Sequence, residues 1–136
     1  MTFIPYVYFD GTSEDAMDFY AAVFDADDVV KMRFSEAPQE IGMPHSDKIM
    51  YSHIEKDGWK LMSNDTAPGM PYQPQASVSV AHQTKTVEDA RTRFDRLCEG
   101  GVAIMPFEKQ FFSAGFGMCK DKYGTHWMIM VDDAAT

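Results

Sequence analysis

The chain has 136 residues and a formal charge of -9, from 12 Lys plus Arg against 21 Asp plus Glu. That length suits one ordinary domain with a buried core, and 45% apolar with 13% aromatic residues argues for a folded globule over a disordered chain. The acidic balance is the reverse of what a phosphate-tracking groove needs, and no apolar run nears the ~20 residues of a membrane-crossing helix, so neither nucleic acid nor membrane is an expected partner.

The N-terminus lacks the basic-then-apolar layout of a signal peptide, and two cysteines, Cys98 and Cys119, make no disulfide framework. A reduced, cytoplasmic setting is the expectation. Eleven methionines read either as adaptable core filler or as the lining of a plastic ligand pocket.

Residues 3–9 form a β run with Pro5, Val7 and Phe9 on one face and Ile4, Tyr6 and Tyr8 on the other. Asp10-Gly-Thr-Ser turns the chain, and Thr12 or Ser13 is placed to cap a helix in which Ala16, Tyr20, Val23 and Phe24 repeat at helical spacing. Strands follow at 28–34, 48–55 and 59–64, the last two joined by Asp57-Gly58, a strong hairpin signal. Residues 35–47, with Pro38, Gly42 and Pro44, read as a loop. Residues 66–74 hold three prolines and a glycine and read as a linker.

After the linker the pattern restarts. Residues 75–81 alternate as a strand, with Ser77 and Ser79 opposite Val78 and Val80. Thr86-Val-Glu-Asp89 opens a helix with Val87, Ala90, Phe94 and Leu97 on one stripe, and Gly100-Gly101 ends it. Strands at 102–107, 115–120 and 125–131 complete the half, with 109–114 as a second loop. In the last strand Trp127, Ile129 and Val131 share one face and His126, Met128 and Met130 the other. Each half thus reads βαβββ, an internal repeat of about sixty residues. The expected fold is α+β: two βαβββ modules (about 1–65 and 75–132, linker 66–74) forming a curved mixed sheet with helices outside and a cleft inside.

Particular motifs go further. Tyr6-Val-Tyr-Phe-Asp-Gly11, Ala16-Met-Asp-Phe-Tyr20, Ser52-His53-Ile-Glu55, Met62-Ser-Asn-Asp65-Thr-Ala-Pro-Gly69 and Phe116-Gly-Met-Cys-Lys-Asp-Lys-Tyr-Gly-Thr-His-Trp-Met128 cover most of the chain. They resemble the PhnB-like branch, also labelled 3-demethylubiquinone-9 3-methyltransferase-like, of the glyoxalase/bleomycin resistance/dioxygenase (vicinal oxygen chelate) superfamily. Phe112 stands where that branch usually has a tryptophan. No glycine-rich turn follows the first strand in the order a Rossmann-like methyl-donor site needs.

The resemblance implies a homodimer, with clefts near or across the subunit interface and the linker deciding any exchange of modules. It also implies where a metal would sit, because metal-using relatives hold a divalent ion that polarises substrate oxygens. Those ligand positions fall here on about Ile4, His53, Gln75 and Met128. Only His53 is a good ligand for such an ion, so no native metal is expected, a divalent ion at His53 being the minor alternative.

His53 has two readings: a hydrogen-bonded histidine in a polar cleft, or a general base or ligand-orienting donor. Tyr6, Tyr8, Tyr51, Gln75, Ser77, Phe112 and Met128 are the remaining candidates for lining a ligand site. Cys119 has no nearby His-Asp partnership in sequence, Asp121 reads as a turn-former and His126 as a surface residue, while His45 and His82 lie in or near loops and carry no functional signal. The leading expectation is a small-molecule binding protein without a catalytic metal. The alternatives are a metal-dependent lyase, isomerase or dioxygenase, and a metal-free acid/base enzyme using His53. Whether a reaction is catalysed stays open.

Overall fold

The structure is a computed structural model describing residues 1–42 and 45–132. Met43 and Pro44, inside the expected 35–47 loop, lie outside the described residues. The chain divides into two compact units between Pro74 and Gln75.

The first unit is a βαβββ module: β1 (Tyr6–Phe9), α1 (Ser13–Val23), β2 (Val29–Arg33), β3 (Ile49–Lys56) and β4 (Trp59–Asp65). Its sheet has the order β1-β4-β3-β2, with β1 parallel to β4 and the other pairs antiparallel. Asp57 (φ 50°) and Gly58 (φ 88°) make the two-residue turn between β3 and β4, both in the left-handed region that such a hairpin requires. Helix α1 buries Ala16, Met17, Tyr20 and Val23 against Val7, Phe9, Ile54 and Leu61. Each large side chain so buried contributes about 1.5–3 kcal/mol, which is what makes an 11-residue helix stable.

The cap of α1 differs from expectation. Thr12 occupies the N-cap position, but its side chain makes no capping hydrogen bond. The acceptor comes instead from the end of β4. Asp65 Oδ1 accepts from the Gly11 and Ser13 amides, each at 2.9 Å, and Oδ2 accepts from the Ile49 amide at 2.9 Å. Beside it, the Ser13 and Ser63 hydroxyls pair at 2.7 Å in full burial.

The second unit repeats the topology: β5 (Val80–Thr84), α2 (Val87–Cys98), β6 (Val102–Gln110), β7 (Ser113–Lys120) and β8 (His126–Val131), in sheet order β5-β8-β7-β6. Thr86 caps α2 as expected, its hydroxyl accepting from the Asp89 amide at 3.1 Å. Asp121 is the turn-former: Oδ1 accepts from the Tyr123 and Thr125 amides, and Oδ2 from Trp127 Nε1 at 2.8 Å. Gly124 in the same turn has φ 94°. The inward stripe Trp127, Ile129 and Val131 is buried, and His126, Met128 and Met130 are half-buried on the opposite face. Gly117 leaves room for Phe94, whose ring lies 2.7 Å from where a Cβ would be.

The two-module α+β architecture is as the sequence predicts, each module carrying its own four-stranded mixed sheet. Several local details differ. β5 begins at Val80, not at residue 75, because Ser77 turns left-handed (φ 56°) and, of this segment, Val80–Thr84 is the part that pairs with β8. The 109–114 loop is a tight connection: β6 runs to Gln110, β7 starts at Ser113, and Phe111 and Phe112 make the turn. Pro106 is accommodated because β6 is an edge strand with shifts of register.

His82, expected in or near a loop, is a strand residue. It lies in β5, where its Nε2 accepts from Arg93 Nη1 at 2.6 Å. Burial, with the Arg93 charge added, pushes its pKa down from 6.5 to about 4.

Two outcomes follow from these buried polar groups. Asp65→Asn turns an amide donor toward amides that need an acceptor, and is expected to lower stability by ~2–4 kcal/mol in urea unfolding. An unchanged urea midpoint would refute that role. His82 stays neutral in the folded chain while the unfolded chain takes up a proton below pH 6.5, so stability rises with pH between about 4 and 6.5 and is flat above. Measured as the difference between wild type and His82→Gln, the step has a ceiling of ~3 kcal/mol that solvent screening lowers.

Candidate functional site

Helix α1 covers one face of the first sheet, and the strand pleat sends alternate side chains to the other face. On β1 those are Tyr6 and Tyr8, on β4 Lys60, Met62 and Asn64, on β3 Tyr51, His53 and Glu55, and on β2 Val30 and Met32. Strand register sets them in rows. Tyr6 faces Met62, which faces His53, which faces Val30. One pleat further on, Tyr8 faces Asn64 and Met32 faces Tyr51, with Asn64 next to the Ser63–Ser52 pair and so beside Tyr51.

Four of the expected site residues are therefore neighbours on one face. The Tyr6 and Tyr8 rings lie 5.3 Å apart and the Tyr51 and His53 rings 5.4 Å apart. Burial pushes the Tyr6 phenol above its ordinary value, and the Tyr8 and Tyr51 hydroxyls add to the effect, as converging phenols must. Tyr51 Oη and His53 Nδ1 are hydrogen-bonded at 2.7 Å. β3 stays regular past His53, so Glu55 shares its face and brings Oε1 to 3.9 Å from His53 Nε2.

The amphipathic pattern of β2 is reversed. Lys31 and Arg33 point to the helix side, where they pair with Glu14 and Asp18 of α1 at 2.6–3.3 Å. Val30 and Met32 point the other way and are 46% and 44% exposed. The apolar half of an edge strand thus lies on the face that no described element of this module covers. Asn64 is a residue that the sequence reading misses. Its Oδ1 is buried and has no hydrogen-bond partner among the described residues. The signal for it is present in the Lys60-Met62-Asn64 alternation, which shares the face of Tyr6 and Tyr8.

The other expected residues belong to the second module. Gln75 precedes β5, and its Oε1 accepts from the His126 amide at 2.9 Å, two residues before Met128. Met128 is half-buried on the face opposite α2. His126 is half-buried rather than a surface residue, and its Nδ1 is buried without a partner among the described residues. Ser77 is exposed in its left-handed turn. Phe112 sits at the β6–β7 turn with its ring edge-on to Phe116, 5.0 Å between centroids. Cys119 is buried, and burial holds its thiol far up from the thiolate form a nucleophile needs.

A divalent metal of the kind the sequence resemblance implies is a poor fit to the first module. Its open face offers one imidazole, with Nδ1 already bonded to Tyr51, and one carboxylate. Among the described residues no three or more His, Cys, Asp or Glu side chains are placed to hold a metal ion. The N-terminus of α1 is equally unsuited to an external anion, because Asp65 already occupies the Gly11 and Ser13 amides. No described helix is long and apolar enough to cross a membrane.

Comparison with known proteins agrees with the fold. The chain is similar to protein YjdN of Escherichia coli (strain K12), 28% identical over 141 residues that cover 96% of this chain and 95% of that protein. It superimposes on protein PA1353 of Pseudomonas aeruginosa with a TM-score of 0.89 and 27% identity, covering 97% of this chain and 98% of that one. A PhnB protein from Bacillus cereus matches with a TM-score of 0.75 and 24% identity, over 97% of this chain and 100% of that one, a likeness of fold alone. The same fold recurs in a member of the glyoxalase/bleomycin resistance protein/dioxygenase superfamily from Sphaerobacter thermophilus, with a TM-score of 0.58 and 14% identity over 97% of this chain and 98% of that one. The family described as 3-demethylubiquinone-9 3-methyltransferase matches residues 1–130, and the chain belongs to that PhnB-like family.

Proposed function

We propose that the protein binds a small organic molecule against the open face of the first sheet, without a resident metal. The observation that carries this reading is the composition of that face. Three tyrosine rings, Val30, Met32 and Met62 surround two polar side chains, Asn64 and His53. Ligand sites combine mostly apolar and aromatic walls with a few placed polar groups, and this face has that balance.

Asn64 adds a chemical preference. A buried amide oxygen without a donor costs about 1–3 kcal/mol, and a ligand N–H or O–H that reaches it as the neighbouring side chains part removes that cost. Lys60 and Glu55 lie across from each other at the end of the face nearest the Asp57–Gly58 turn, so charge is kept to its rim. The ligand class that fits is a neutral, largely apolar molecule with at least one hydrogen-bond donor.

A second reading rests on the 2.7 Å contact between Tyr51 and His53, the geometry of an acid/base pair. Under it, the bound molecule is also deprotonated.

A thermal-shift panel on untagged protein tests the binding reading, because whatever binds the native state raises its apparent stability. Ni, Co, Zn, Mn and Fe(II) are expected to leave the melting midpoint of wild type and His53→Ala alike. Neutral aromatic alcohols and amides are expected to raise the wild-type midpoint and to lose that effect in Asn64→Leu. A metal that stabilises wild type strongly and His53→Ala not at all would mean that His53 is a metal ligand.

A further inference from the structure

We infer that Tyr51, His53 and Glu55 form a proton relay in which the Tyr51 hydroxyl, not the imidazole, is the group that meets the ligand. The inference rests on the binding reading above and assigns the reacting atom within that site.

Three alternate residues of one strand project to one face, so Tyr51, His53 and Glu55 follow one another along β3 like steps. The two contacts between them fix a direction. Glu55 Oε1 lies 3.9 Å from His53 Nε2, and a carboxylate there favours the tautomer that carries its proton on Nε2. That tautomer leaves Nδ1 as an acceptor. Nδ1 meets Tyr51 Oη at 2.7 Å, so the phenol donates and the imidazole accepts. The arrangement has the logic of an activated hydroxyl backed by an oriented base.

Tyr51 also sits better for the ligand than His53 does. It shares the row of Asn64 and Tyr8, where the buried amide oxygen lies, while His53 faces Met62 and Val30. The His53 side chain is 16% exposed, and its Nδ1 points at Tyr51. Lys60, opposite Glu55 on β4, and the Tyr6 and Tyr8 phenols on β1 are the other titratable groups on this face.

The step is a proton transfer and needs no other reagent. A weakly acidic O–H or C–H bond of the ligand breaks, its proton bonds to Tyr51 Oη, and the Tyr51 proton bonds to His53 Nδ1. The ligand keeps the electron pair as an anion, and the imidazolium gains the Glu55 carboxylate as its counter-charge. Reversal restores both side chains. The substrate class is thus a weak oxygen or carbon acid, a phenol, an enol or the C–H next to a carbonyl, on an apolar body.

Nuclear magnetic resonance on full-length protein with ¹⁵N-labelled histidine reads the relay without any ligand. His53 is identified by the signal lost in His53→Gln. At neutral pH it is expected as the Nε2–H tautomer with a hydrogen-bonded Nδ1. Tyr51→Phe should move Nδ1 to the free-acceptor position with the tautomer kept, and Glu55→Gln should let the second tautomer appear. A native Nδ1–H tautomer or imidazolium would overturn the relay, because neither leaves an acceptor for the phenol.

A second arm uses 4-nitrophenol, whose anion absorbs visible light. Wild type should raise the anion fraction at fixed pH, and Tyr51→Phe should bind the probe, by fluorescence quenching, with that rise lost. Equal ionisation by both proteins overturns Tyr51 as proton acceptor while leaving binding intact. Nitrophenol that binds neither protein counts against the binding reading, which the histidine spectrum does not depend on.

Discussion

The first module depends on one buried carboxylate. Asp65, the last residue of β4, takes hydrogen bonds from the turn after β1, from the first turn of α1 and from the start of β3. Removing that acceptor would strand three amide donors, two of them in buried surroundings, a penalty comparable to a large part of a small domain's stability. Because Asp65 fixes where α1 begins, it also fixes which sheet face α1 covers. Within this module, the face that carries Tyr6, Tyr8, Tyr51, His53 and Asn64 is the one that α1 does not cover.

The second module reaches the same topology by other means. Its helix is capped locally, by Thr86, and its buried carboxylate, Asp121, closes the β7–β8 turn and holds the Trp127 indole in place. Two halves can therefore share a βαβββ order while sharing little sequence. What repeats is the periodicity of apolar residues and the need for an acceptor at each helix start and tight turn, not the residue that supplies it. Where the acceptor is local the sequence announces it, and where it comes from another strand the sequence does not.

That distinction separates what is legible in the sequence from what is not. The Asp57-Gly58 turn, the Thr86 cap and the alternation of β8 are local features and can be read directly. The Asp65 cap joins residues 52 positions apart and cannot, so Thr12 or Ser13 stands as the natural candidate. The start of β5 is hard to place because Ala76–Ser79 alternates like a strand, yet Ser77 adopts a left-handed conformation that no propensity assigns to serine. The Phe111–Phe112 turn carries none of the Gly, Asn or Asp that mark hairpins, so it reads as part of a longer loop. Of the candidate site, the shared face of Tyr51 and His53 follows from spacing two apart. Asn64 lies on the same kind of alternation, but its meaning is a missing partner, which only packing reveals.

The same strand geometry decides what His53 can do. β3 is an inner strand, hydrogen-bonded on both sides, so Tyr51 and His53 are held at fixed spacing by backbone that has no freedom to adjust. A hydrogen bond formed from such positions loses little conformational entropy, and its length of 2.7 Å is that of a well-made contact. Metal coordination at His53 would need several oxygen or nitrogen donors at the same spot, and beside Nε2 the Glu55 carboxylate stands at 3.9 Å while Met62 and Val30 are the cross-strand neighbours. Proton transfer needs only the neighbour already bonded to it. The proposed transfer through Tyr51 therefore uses a contact that the strand geometry already holds in place.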